Sequence, residues 1–230
     1  MDQPLQQSNL RDQALALLKL RLISGDLAPG EIYSAASVAV ELGVSNSPVR
    51  EAMLTLVNQG LMETVRNRGF RVVPLTEKER SNIYDLRLLV EIPSMARLAA
   101  NRDKVAARRE EFTRIAAEIV SCAKNGDIVG YLESDRRFHL GLLGVLENDR
   151  LVAIVENLRD QARQYGLKRL SQRGLLVASA REHQPILDAI LAGDQKLTTR
   201  LMTAHLRHLV SDWAEPEYAA PASSKPTVRR

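Results

Sequence analysis

The sequence predicts a chain in two parts: a small α+β winged helix-turn-helix at the N-terminus, followed by an all-α helical bundle. Three observations carry this. Between Ser34 and Pro74 two short helical patterns give way to two β-like runs. After Pro74 the apolar residues recur at helical spacing and no strand pattern appears. The composition is rich in Leu, Ala, Glu and Arg with only 4% aromatic residues, which favours helices over sheets.

Residues 10–24 place Ala14, Leu18 and Leu22 on one stripe with Leu15 beside it, as a first helix would. Ser34 to Leu42 reads as a short helix stopped by Gly43, because glycine takes the left-handed geometry that helix ends often need. Val44 and Ser45 then turn the chain into a second helix, Asn46 to Gln59, with Ser45 expected to cap its free N–H groups. Two helices joined so tightly form a helix-turn-helix, whose second helix enters the DNA major groove by its N-terminal end. Leu61–Val65 and Phe70–Val73, around the turn Arg66-Asn67-Arg68-Gly69, predict a hairpin wing that Pro74 ends. Thr76-Glu77-Lys78-Glu79 resembles a capping box opening a helix to about Asn101, kinked near Pro93. Further helices are expected over 103–124, 127–146, 149–171, 174–192 and 194–213, with breaks at Asn125-Gly126-Asp127, Asn148-Asp149, Gly174 and Gly193-Asp194. The expected units are a DNA-binding domain over 1–75, a helical bundle over 76–213 and a tail over 214–230, whose Pro, Ala and Ser content predicts disorder.

At 230 residues the chain has room for two small domains, and 45% hydrophobic residues exclude a disordered chain. A net charge of +4 and a pI near 9.4 suit a nucleic-acid binder without proving one. Residues 1–75 hold seven Arg/Lys against seven Asp/Glu, so the case rests on placement. Arg66, Arg68 and Arg71 cluster on the wing, and Arg50 lies one turn into the recognition helix. No apolar run approaches the roughly 18–20 residues of a membrane span, and the N-terminus has no signal-peptide core, so a cytoplasmic protein with no membrane partner is expected. Cys122, the single cysteine, cannot form an internal disulfide; it reads as a buried filler rather than a redox sensor.

Three of the four histidines fall into a pattern with an aspartate: Asp135 and His139, then His183, then His205. Residues four apart on a helix share a face at about 6 Å, so Asp135 and His139 can bind one metal ion together. His183 is expected in the middle of its helix and His205 in the last one, each beside apolar residues that turn toward the core. The competing reading makes each histidine a hydrogen-bonded structural residue. Arg87 has Glu91 at i+4, either as a surface salt bridge worth a few tenths of a kcal/mol or with the arginine facing a pocket.

Leu42-Gly43-Val44-Ser45-Asn46-Ser47-Pro48-Val49-Arg50-Glu51-Ala52, with Gly60-Leu61-Met62 and Arg68-Gly69-Phe70-Arg71-Val72, resembles the winged helix of the GntR family of bacterial transcription regulators. Ile23 to Glu31 is similar to the loop between that family's first two helices. Asp135-Arg136-Arg137-Phe138-His139, Glu182-His183 before Ile186-Leu187-Asp188-Ala189-Ile190, and Ala204-His205 resemble the FCD effector domain of the FadR-type branch, over roughly 78–213. The resemblance implies a regulator, a repressor as first expectation, that binds a palindromic DNA operator as a homodimer. Its DNA-binding residues would be Ser45, Asn46, Ser47, Arg50, Arg66, Arg68, Gly69 and Arg71. It also implies a divalent metal held by Asp135, His139, His183 and His205, with zinc the first guess and nickel or manganese suited to the same ligands. Arg87 matches a family arginine and would grip a small carboxylate effector against that metal.

The chain is therefore read as a regulator and not an enzyme. The alternatives are a metal-dependent hydrolase or lyase using the Asp/His site, which lacks an obvious general base nearby, and a pure metal sensor. Family members carry arginines where Ala36 and Asn46 stand, so their base preference does not carry over. His208 has no counterpart in the motif and reads as a surface residue or one behind the ligands.

Overall fold

The computed structural model describes residues 5–172 and 176–211. Helix α1 (Leu5–Ser24) begins ahead of its apolar stripe and turns Ala14, Leu18 and Leu22 into a core shared with α2 (Ala35–Leu42) and α3 (Asn46–Asn58). Ser34 Oγ caps α2 by accepting the Ser37 N–H at 3.0 Å, and Gly43 closes it at φ 65°. Ser45 does not cap α3 with its side chain, against expectation. The third residue of α3 is Pro48, which has no N–H to donate to a capping oxygen.

The wing is part of a three-stranded antiparallel sheet, β1 (Ile32–Tyr33), β2 (Met62–Val65) and β3 (Gly69–Val72), in the order β1-β3-β2. The hairpin register pairs Met62 with Val72 and Val65 with Gly69, so β3 starts one residue earlier than its β-like run. β1 was not expected: two residues show no alternation, and they become a strand only because β3 offers an edge, with Ile32 opposite Arg71. Asn67 takes the left-handed turn position at φ 59°. Gly69 sits at φ 124°, where a Cβ would strike the Tyr33 carbonyl of β1.

Helix α4 (Glu77–Ala100) opens with the expected capping box: Thr76 Oγ1 accepts the Glu79 N–H at 3.2 Å, and Glu79 accepts the Thr76 N–H at 2.7 Å. It runs on through Pro93. The helix expected over 103–124 is two, α5 (Arg102–Ala106) and α6 (Arg109–Asn125), whose corner lets Val105 and Phe112 both reach full burial. Asp127 caps α7 (Ile128–Gly144) through the Gly130 N–H at 2.9 Å. Then follow α8 (Asp149–Gln172), α9 (Leu176–Ala180), α10 (His183–Leu191) and α11 (Gln195–Ser211). The helix expected over 174–192 is thus split at Arg181-Glu182. The Gly174 break, the surroundings of His208 and the 214–230 tail lie outside the described residues.

The bundle core gathers Phe112, Phe138, Leu142, Leu143, Ile186 and Leu206, each worth about 1.5–3 kcal/mol on burial. Cys122 packs at its edge, and burial raises its thiol above the usual value, as suits a filler. Ile23 of α1 joins the bundle core, and polar contacts also tie the winged part to the bundle: the Lys19 ammonium lies 2.6 Å from Asp160, and Gln161 Nε2 donates to the Gln59 carbonyl at 3.0 Å. No helix among the described residues is long and apolar enough to cross a membrane.

Candidate functional site

Two surfaces of the fold gather chemistry. The first is the exposed end of α3. Pro48, Val49, Ala52, Met53 and Leu56 face the core, which turns Ser45, Asn46, Ser47 and Arg50 to solvent. Ser47 Oγ donates to Glu51 at 3.3 Å. Arg66 and Arg68 are exposed at the hairpin turn. Arg71 is also exposed, but it is ion-paired with Glu63 directly across the ladder, so it reaches an outside anion only by leaving that partner.

The second lies inside the bundle. Asp135 and His139 stand one turn apart on α7, His205 projects from α11, and His183 opens α10 rather than sitting in mid-helix, because the chain turns a corner just before it. One ligand atom from each lies within 4.8 Å of all the others, and all four residues are buried. His183 Nε2 is 3.1 Å from Asp135 Oδ1 and 3.2 Å from His139 Nε2, which is itself 3.6 Å from the same carboxylate oxygen. The ring nitrogens on the far side are held from outside: His183 Nδ1 meets the Ala180 carbonyl at 2.9 Å and His205 Nδ1 meets Glu182 at 2.8 Å. That leaves each Nε2 free to face the centre. His139 Nδ1 is buried without a protein partner.

Burial drives His139 well below the usual imidazole pKa, with Arg159 and the other two histidines adding to it. Burial likewise brings His205 to about 4, against the opposing pull of Glu182. Two ring nitrogens that face one another at 3.2 Å, as His139 Nε2 and His183 Nε2 do, need a cation or a proton between them. Ligands roughly 2.1 Å from one tetrahedral ion stand roughly 3.4 Å apart. The 3.1 to 3.6 Å separations among Asp135, His139 and His183 bracket that value, and with His205 the four donors lie within 4.8 Å, a set that suits a single divalent ion once drawn in.

Behind the cluster runs a buried ion chain, of which the sequence announced only the Arg87–Glu91 pair. Asp135 Oδ2 accepts from Arg159 at 2.6 Å, Arg159 also donates to Glu91 at 2.8 Å, and Glu91 accepts from Arg87 at 2.5 Å. All four are nearly inaccessible, with Glu91 at 0% exposure. Burial alone would raise the Glu91 carboxyl, but Arg87 and Arg159 outweigh it and hold it below its usual value. The expected Arg87–Glu91 pair therefore exists, but as an interior bridge whose disruption costs kcal/mol rather than tenths. The one sequence signal for Arg159 is its place on the apolar stripe of Val155, Leu158 and Ala162 along α8.

With this geometry in view, comparisons with known proteins are specific. The sequence model for bacterial regulatory proteins of the gntR family matches residues 10–72, and that for the FCD domain matches residues 82–208. A gluconate operon transcriptional repressor from Bacillus licheniformis is 31% identical over 172 residues, covering 74% of this chain and 68% of its own length. An HTH-type transcriptional regulator in an unstable DNA locus of Streptomyces ambofaciens is 29% identical, over 97% of this chain and 94% of its own. Among solved structures, Escherichia coli McbR/YncC superposes with a TM-score of 0.75 at 22% identity, covering 89% of this chain and 96% of its own, which speaks to the fold alone.

Proposed function

Because the chain belongs to the GntR family of bacterial regulatory proteins, in its FCD-bearing branch, we propose that this DNA-binding transcription regulator represses from a palindromic operator as a dimer and is released by a carboxylate bound in the bundle. The observation that carries the sensing half is the Asp135, His139, His183 and His205 cluster, with its ligand atoms within 4.8 Å and the His139 and His205 pKa values lowered by burial. These residues would hold one divalent metal, zinc first, with nickel or manganese also suited to an N/O set. When bound, the ion supplies a Lewis-acidic position for an effector oxygen. Arg87, whose charge already acts on His139, would take the other end of the carboxylate after loosening from Glu91.

Ser45, Asn46, Ser47 and Arg50 would read base edges, and Arg66, Arg68 and Arg71 would hold phosphates. Gly69 would serve by letting the wing turn close against β1. Pairing on a two-fold operator suits a dimer near 51 kDa, twice the 25.6 kDa chain, and the exposed Leu86 and Leu89 on α4 offer apolar surface for a second copy. The functional division falls near Pro74, with reading residues before it and sensing residues after it. Acting on the chromosome would place the protein in the cytoplasm.

The test combines metal analysis of purified protein with an operator-shift titration using a panel of mono- and dicarboxylates. Arg87→Ala is expected to keep metal and operator binding and to lose the carboxylate response. If it is released at the same carboxylate concentration as the parent, the anchor is elsewhere. If added metal alone releases the operator, the ion itself is the signal.

A further inference from the structure

A cleft of about 360 Å³ opens between α1 and the pair α7 and α8, with none of the four cluster residues in its lining. Its walls combine apolar side chains, Leu15, Leu20 and Ile23 from α1 and Leu132 from α7, with a linked row of charges. Along that row Asp160 meets Lys19 at 2.6 Å, Lys19 meets Glu156 at 3.8 Å, Glu156 meets Arg136 at 2.6 Å, and Arg136 meets Glu133 at 3.9 Å. Three carboxylates thus face two cations. Asp160 is 5% exposed, and burial holds its carboxyl above the usual range despite Lys19.

The volume lies at the lower end of small-molecule sites, which favour domain seams. Along this row carboxylates outnumber cations, and a half-enclosed apolar cleft lined by an excess of one sign of charge favours a guest of the other. The chain itself displays the recognition: the Lys19 ammonium, on a side chain only 17% exposed, is held between Asp160 and Glu156. We propose that this cleft is a second small-molecule site, and that it takes a primary ammonium ion carried on an apolar body. The guest's ammonium competes with Lys19 for Asp160 and Glu156, while its apolar part lies against Leu20, Ile23 and Leu132. Occupancy therefore weakens the contact between the DNA-reading part and the bundle.

Calorimetric titration of the full chain with phenethylammonium chloride tests this, with phenylacetate as the anionic control of similar size. The amine is expected to bind once per chain and phenylacetate not at all. Ala16→Trp, at an exposed position on the cleft wall, is expected to weaken the amine by at least about tenfold, the factor that roughly 1.4 kcal/mol represents. Asp160→Asn should weaken it comparably. Lys19→Ala, which vacates the ammonium position, should tighten it. Excess free divalent metal or carboxylate should leave it unchanged, which separates this site from the histidine cluster. Equal binding of phenylacetate, absence of amine binding in both parent and Lys19→Ala, or affinity untouched by both Ala16→Trp and Asp160→Asn would each overturn the proposal.

Discussion

Among the described residues, every side chain buried ahead of Arg80 is apolar, from Ala14 and Leu18 through Met53 and Leu56 to Phe70 and Val72. From Arg80 onward the interior also takes in twelve polar or charged side chains, among them Arg87, Glu91, Asp135, Arg159 and three histidines. A reading head must present its hydrogen-bonding groups to a partner, so its core is left to packing alone. A sensing domain works the other way. Charges withdrawn from water couple strongly to whatever arrives beside them, so the bundle keeps its chemistry inside and stays stable only while every buried charge is paired.

The largest expected effect breaks that pairing. Arg159→Met takes a buried guanidinium from both Asp135 and Glu91, leaving two carboxylates to share Arg87 and the histidines, and urea unfolding should report a loss of about 3–5 kcal/mol. A change within the noise of the titration would mean that the interior chain is dispensable. Next comes the ion. Chelation, or His183→Ala, should lower the melting temperature, with about 2.7 kcal/mol at stake if the free metal stands at roughly a hundred times its dissociation constant. A parent protein that melts identically with and without chelator would separate the cluster from any metal. On the other side of the comparison, Arg50→Ala should leave the melt unchanged. It should remove about 1–3 kcal/mol of discrimination at one base pair of the operator, read by binding to a set of single-base operator variants. The smallest effect is expected of Arg68→Ala: uniformly weaker binding to all sequences, with the logarithmic salt slope falling by about 0.9. Loss of selectivity in this variant would move base reading onto the wing.

The same contrast explains what could be read from the sequence. The winged part announces itself through local signals, such as Gly43 ending α2 and the polar turn between two β-like runs, and these fall where expected. β1 escaped notice because its only cause is an edge some forty residues away in sequence, at Phe70 and Arg71. In the bundle, the four cluster residues were legible from spacing and resemblance, and they meet in space. Of the pairs that support them, only Arg87–Glu91 was, through its i+4 spacing. Arg159 reaches Glu91 across 68 residues and Asp135 across 24, separations at which no local pattern operates. The corners at Ala107-Arg108 and Arg181-Glu182 carry no Gly or Pro, so each split helix read as continuous. Ser45 misled for a different reason: the capping residue is present, but Pro48 removes one of the two N–H groups such a cap accepts from.

The outward end of α3 has a consequence for lineage as well as for chemistry. Helix α3 is held by Val49, Ala52, Met53 and Leu56, whereas Ser45, Asn46 and Arg50 stand exposed on the opposite side. Exposed positions of this kind usually tolerate exchange within about 0.5 kcal/mol. With base reading assigned to these residues as proposed, descendants would drift to new operators one residue at a time while the domain remains folded at each step. The bundle offers no such gradual route, since altering Asp135 or Arg159 alone orphans a buried neighbour. The address on the chromosome is free to wander, while the sensor must be inherited whole.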